Sequence, residues 1–252
     1  MLYFDVRCMT SDRMTMFDKI GKSQTLSQEI VANIEQAIRE KKFQVGEKLP
    51  TEKELCEMFG VSRTAIREAL QMLSAQGLIN VHKGKGSFVN DYSSDHVIKP
   101  MSLFLELNFD IDYMYHVVRT RRMLEPAVAR DAALHRTDDD LKKLKDVLIK
   151  FKKTKPSDFE KQGELDREFH LILAKACQNP IIPIITEPIY ELMPRIKTLI
   201  YEKVDAARSE ADVYHEKIYD MIKVQDGDGA YQMMLSHLKI AEDHVNILKE
   251  KS

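Results

Sequence analysis

The 252-residue sequence has only three cysteines, Cys8, Cys56 and Cys177. They are odd in number and far apart, which excludes a disulfide framework or a paired-cysteine zinc ribbon and points to a reduced, intracellular protein. No apolar run approaches the roughly 18 to 20 residues of a membrane span, and the opening residues lack a signal-peptide pattern. A cytoplasmic protein without membrane association is therefore expected. Charge imbalance is also missing: 38 basic residues face 40 acidic ones, a formal net charge of −2. Such a balance gives no global polyanion-binding signature, so any nucleic-acid footprint has to be regional.

Glycine is scarce and unevenly placed. Six of the nine glycines precede residue 90, and only Gly163, Gly227 and Gly229 follow. Turn-rich structure thus gives way to helix-rich structure, and the length accommodates two cores. Residues 1–22 are expected to be a disordered start, with Met14 or Met16 as alternative first residues. Residues 23–90 read as three helices and a hairpin. Ile30, Ile34, Ala37 and Ile38 recur at helical spacing over 26–41. Thr51 and Glu54 form a capping box for a second helix ending at Gly60. A third helix starts at Ser62 and stops at Gly77. In "LINVHKGKGSFV", two β-prone runs flank a Lys83-Gly84-Lys85-Gly86 tip. This is a winged helix-turn-helix. The polar, proline-bounded stretch 91–100 is the expected linker. Residues 101–252 show helical periods over 101–107, 111–134, 138–153, 157–177, 181–201, 208–224 and 230–249, without strand-like alternation. The fold class is mainly α: a winged helix followed by an all-α bundle.

In a helix-turn-helix, the N-terminal residues of the second helix enter the major groove. Here they are Ser62, Arg63, Thr64 and Arg67. Arg63 and Arg67 are four apart and share a face, while Ile66, Ala69, Leu70 and Leu73 turn to the core. A guanidinium fork suits guanine edges or phosphates. Between Gly60 and Val89, Arg63, Arg67, Lys83 and Lys85 stand against Glu68 alone, a local excess of +3 (four minus one). "LPTEKELCEMFGVSRTAIREALQMLSAQGLINVHKGKGSFV" resembles the GntR family of bacterial transcription regulators across residues 26–90. The resemblance implies DNA contacts by Lys53, Ser62, Arg63, Thr64 and Arg67, with Gly84 at the wing tip and Lys83 and Lys85 on phosphates. Lys53 replaces the commoner arginine, which favours a phosphate role there.

The second half offers a candidate metal set. Asp166 and His170, at i and i+4, converge on one side of a helix, a spacing equally served by a simple hydrogen bond. His215 and His237 lie on helices joined through "QDGDGA", Gln225 to Ala230. Because 226 is midway between them, an antiparallel hairpin sets both at one height. His244 is seven residues beyond His237, roughly 10 Å along the helix. It reads as a non-ligand, as do His96, His116 and His135. "RRMLEPAVARDAA" and "LDREFHLILAKACQNP" resemble the all-helical effector domain of the FadR-like branch, extending the resemblance to about residue 245. This implies that Asp166, His170, His215 and His237 bind a divalent ion, Zn2+ or Ni2+ by donor type. It also implies that Arg121 pairs with an effector carboxylate, with Asn179 and Arg195 as further candidates. An intrahelical Arg121–Glu125 pair and a helix-terminal role for Asn179 before Pro180 are the competing readings.

The expected function is a repressor, not an enzyme. It binds a palindromic operator on nucleoid DNA as a homodimer and responds to a small organic acid at the metal. A metal-free acyl-thioester sensor and a metal-dependent hydrolase with a DNA-binding head are the alternatives. The hydrolase lacks a general base beside the ligands, and no HExxH occurs. Arg63→Ala and Arg67→Ala are each expected to weaken specific operator binding by about 1–3 kcal/mol. Fluorescence anisotropy checks this, and unchanged affinity in both variants would place the recognition helix elsewhere.

Overall fold

The computed structural model describes residues 25–204 and 206–250, which fall into two compact units divided between Ser93 and Ser94. The disordered start expected for residues 1–22 lies outside the described residues. Among the described residues there are eleven helices and one two-stranded antiparallel hairpin.

In the first unit, α1 (Leu26–Arg39) is closed by a Thr25–Gln28 capping box, and α2 (Glu52–Phe59) by the Thr51–Glu54 box. Each box satisfies helix-terminal N–H groups that would otherwise lack partners. Gly60, at φ 68°, takes the left-handed conformation that ends α2. The reversal admits α3 (Arg63–Ala75), whose N-cap Ser62 accepts the Ala65 N–H. Ile66, Ala69 and Leu73 are fully buried and pack with Ile30, Ile34 and Leu55. That face fixes the rotation of α3, so Arg63, Thr64 and Arg67 stay exposed. Strands β1 (Ile79–His82) and β2 (Gly86–Val89) pair in register from Ile79–Val89 to His82–Gly86. The wing tip is therefore Lys83-Gly84-Lys85, with Gly84 at φ 75°.

The second unit begins earlier than expected. α4 (Asp95–Leu107) occupies six of the ten residues read as linker, 95–100, and Pro100 lies inside it. Asp95 stands in the first turn, where a carboxylate suits the helix dipole, and Leu105 is buried against the bundle. The polarity taken for a linker belongs to a helix start, leaving only residues 90–94 between β2 and α4.

α5 (Ile111–His135) and α11 (Gly227–Glu250) are the long helices and pack together; α7 (Phe159–Ala176) packs on α9 (Met193–Tyr201), and α10 (Ala207–Lys223) on α11. α6 (Asp138–Lys153) turns its lysines to solvent and buries Leu144, Val147 and Phe151. The single helix expected over 181–201 is two, α8 (Ile181–Tyr190) and α9, broken at Glu191–Leu192. Pro194 sits in the first turn of α9, where its missing N–H is not needed. Two apolar clusters flank the bundle's middle. The approach of α7 to α9 requires Gly163, since a Cβ there would stand 2.6 Å from Pro194 Cα, a backbone atom. Gly163→Ala should therefore destabilise this unit by about 1–3 kcal/mol, as overpacking does. The measurement is the urea midpoint of the full chain, and an unchanged midpoint would show that α9 can move aside.

Candidate functional sites

The bundle's middle holds a polar cluster. α7 supplies Asp166 and His170, α10 supplies His215 and α11 supplies His237, each buried to within 3% of full enclosure. One potential ligand atom from each lies within 4.8 Å of every other. The ring centroids of His215 and His237 are 4.8 Å apart, and those of His170 and His237 are 5.4 Å apart. Asp166 Oδ2 and the Nε2 atoms of His170, His215 and His237 are buried without a hydrogen-bond partner, and Asp166 Oδ1 faces the Lys197 ammonium. Leaving one such group unsatisfied costs about 1–3 kcal/mol, so four in one place need a shared partner. A divalent cation is the partner that these four atoms can share. Imidazole and carboxylate are borderline-to-hard donors, and the set fits zinc or nickel.

Electrostatics prepare the donors. Burial pushes the His215 and His237 imidazoles well below their ordinary pKa, so they are neutral and offer lone pairs. For Asp166 burial acts the other way, yet the Lys197 ammonium, with Arg121 beyond it, outweighs burial and holds the carboxyl well below the usual carboxylate range.

Behind the donors stands a second layer. Arg121 Nε donates to Glu125 Oε1 at 2.5 Å, and both side chains are almost wholly enclosed. Glu125 Oε2 in turn lies 2.7 Å from His170 Nδ1. The ring as placed falls outside hydrogen-bond geometry, and a small rotation would bring its Nδ1–H onto the carboxylate. Against burial, Arg121 and then His170 hold Glu125 ionised, at a pKa of about 2. An anion at Nδ1 fixes the tautomer whose Nε2 points to the other donors.

The effector candidates separate. Arg121 lies in the site but is engaged by Glu125 and by Met193 Sδ at 2.9 Å. Arg195 is exposed, with its guanidinium 4.3 Å from the centre of the Phe109 ring, and does not join the cluster. Asn179 is exposed as well, and its Oδ1 accepts the Ile181 N–H at the start of α8. Of the histidines read as non-ligands, His244 bonds Glu210 and His135 bonds the Asp131 carbonyl.

Sequence reading missed Lys197. Its side chain is buried on α9 with Nζ 2.8 Å from Asp166 Oδ1. The signal was present: Met193, Lys197 and Tyr201 follow i, i+4 spacing beside Ile196 and Ile200, so a lysine occupies a core position.

On the winged helix, Arg67, Lys83, Gly84 and Lys85 line one groove between α3 and the wing. Arg63, Thr64 and Ser62 are exposed at the start of α3. Arg67 Nε pairs with Glu52 Oε2 at 2.9 Å, an acid from α2 that lies outside the window 60–89. Glu68, the acid counted against the cations, is engaged by Ser27 Oγ at 2.6 Å instead. Lys53 is exposed beside Glu57, 3.9 Å away. Lys48 also lines the groove, a cation the sequence reading passed over; it bridges to Phe88 and lies against Gly86.

A winged helix with a basic groove, followed by an all-helical domain enclosing a polar cluster, defines a DNA-binding type of protein. Residues 26–89 match the family described as bacterial regulatory proteins, gntR family, and residues 116–239 match the FCD domain. The chain is 31% identical over 221 residues to the HTH-type transcriptional regulator LutR of Bacillus subtilis (strain 168), covering 82% of this chain and 94% of LutR. It is 27% identical to the putative L-lactate dehydrogenase operon regulatory protein of Escherichia coli (strain K12), covering 84% of this chain and 83% of that protein. Among solved structures, Streptococcus agalactiae GntR aligns with a TM-score of 0.61 at 26% identity, covering 86% of this chain and 99% of that one. This protein belongs to the GntR family and is a bacterial transcription regulator with an FCD domain, not an enzyme.

Glu125→Gln keeps the shape and removes the charge behind His170. It should weaken divalent-ion binding by about 10- to 100-fold. Competition against a chromogenic chelator measures this, and equal affinity would show that Glu125 does not orient the ring.

Proposed function

We propose that this regulator is a repressor. In this reading it binds a palindromic operator as a homodimer in the cytoplasm and responds to a small organic acid bound beside a divalent ion in the helical domain. The observation that carries the reading is the convergence of four buried, unpartnered donor atoms, one each from Asp166, His170, His215 and His237. These four residues would hold the ion, zinc or nickel by donor type. When bound, the ion supplies a Lewis-acidic attachment point for a carboxylate oxygen. Glu125 keeps His170 in the ligating tautomer, and Arg121 acts through Glu125 rather than by touching the effector. Arg195 and Asn179, directed elsewhere, take no part.

The DNA-reading half rests on the groove cations. Arg63 and Arg67 read base edges or phosphate, Ser62 and Thr64 lie beside them, and Lys53, Lys83 and Lys85 contact phosphate while Gly84 lets the wing tip approach closely. A palindromic site needs two heads, and an apolar strip on the helical domain supports a second copy. Met123 and Leu124 on α5 and Ile181 and Ile185 on α8 are exposed, Met123 to 74%. The name of one relative, for an L-lactate dehydrogenase operon, agrees with an organic-acid effector. A metal-free thioester sensor would leave the four donors without a partner.

Protein purified without a polyhistidine tag and supplemented with zinc or nickel should carry about one ion per chain by mass spectrometry. Combined His215→Ala and His237→Ala substitutions should abolish uptake. A hydroxy- or keto-acid at about 100 times its Kd should stabilise the loaded protein by about 2.7 kcal/mol and release operator DNA. A site still empty after supplementation would overturn the metal reading.

A further inference from the structure

Lys197 is not one of the metal donors, and a bound ion would itself hold Asp166 ionised in its place. Its side chain is 4% exposed, on a helix face otherwise made of Met193, Ile196, Ile200 and Tyr201. Taking an ammonium out of water costs several kcal/mol before pairing, so an apolar residue would serve packing at least as well. The charges of the cluster supply the reason for its presence. Arg121 pairs with Glu125 and Lys197 with Asp166, so each buried carboxylate already has a cationic partner from the chain. A divalent ion held there would add two positive charges where Coulomb interactions are poorly screened. The loaded interior would therefore favour a ligand that brings negative charge.

The path to the cluster supports the same conclusion. A narrow cleft between α9, α10 and α11 is lined by Glu210, Tyr214 and His244 together with Lys197, Tyr201 and His237. Its free volume of about 10 Å³ is enough for about one water molecule. Thus Lys197 and one of the four donor residues share a single cleft. The Tyr201 hydroxyl, on the same wall, is buried without a hydrogen-bond partner. An ammonium carries three donors, and Asp166 Oδ1 engages one side of it.

Building on the metal-site reading above, we propose that Lys197 receives the anionic end of the effector. The ligand enters through the α9–α10–α11 cleft, and the site discriminates small carboxylates from neutral molecules of the same shape. Tyr201 adds a neutral donor beside the ammonium.

Acetate and acetamide share a shape and differ in charge, so they are the probes. Their affinities for the full-length protein are measured by calorimetry at constant ionic strength, with ion content determined for each variant. The wild type should bind acetate and not acetamide. Lys197→Met should retain the ion and bind acetate at least about tenfold more weakly. Lys197→Arg, which keeps the charge, should restore most of the affinity, a rescue that a packing role would not produce. Acetate binding that is equal in wild type and Lys197→Met, or absent in the wild type, overturns the proposal. So does loss of the ion together with the anion in Lys197→Met, which would make Lys197 a prop for Asp166. If the wild type takes up no ion, the metal reading fails, and the same acetate comparison between wild type and Lys197→Met still decides the role of Lys197.

Discussion

The helical domain depends on keeping Asp166 ionised where no water reaches it. A lone carboxylate in that position would be protonated or would pull the bundle open. Lys197 prevents this from α9, and the three imidazoles surround it from α7, α10 and α11. One residue further out the arrangement repeats with the same signs, as Arg121 on α5 holds Glu125 against His170. The interior is thus held by alternating charges as well as by its two apolar clusters. Removing a single member leaves a buried charge uncompensated, and such losses commonly cost 3–5 kcal/mol.

This dependence explains why the packing around the cluster is close. α7 carries two of the four donors, and α9 carries the ammonium, so their separation sets the Asp166–Lys197 distance. Gly163 against Pro194 lets the two helices approach. The break at Glu191–Leu192 lets α9 start afresh at an angle that a continuous helix over 181–201 could not adopt. On the winged helix the logic is simpler: an apolar face fixes α3, and its polar face is left for DNA.

Much of this was legible because the signals were local. The Thr51–Glu54 box, the Ser62 cap and the Gly60 and Gly77 reversals each lie within a few residues of the element they end or start. The meeting of His215 and His237 followed from counting outward from a short turn. What stayed hidden depends on contacts distant in sequence. Arg67 finds Glu52 fifteen residues earlier, and Lys197 finds Asp166 thirty-one residues earlier (197 − 166). Periodicity marked Lys197 as a core position but could not name its partner. Arg195 failed for the opposite reason: two positions from Lys197 it lies on another, exposed face of α9, with its guanidinium over the Phe109 ring. Asp95 was misassigned because an acidic first turn and a polar linker share a composition.

The Arg67–Glu52 pair gives the DNA-binding head a built-in competitor. Every contact that Arg67 makes on a duplex has to be exchanged for a carboxylate it already holds. Random sequence, offering only a passing phosphate, gains little by that exchange, whereas a well-placed guanine gains a bidentate bond. On the proposed reading, in which Arg67 contacts DNA, the acid on α2 is a competitor that a bidentate guanine displaces more readily than a single phosphate does.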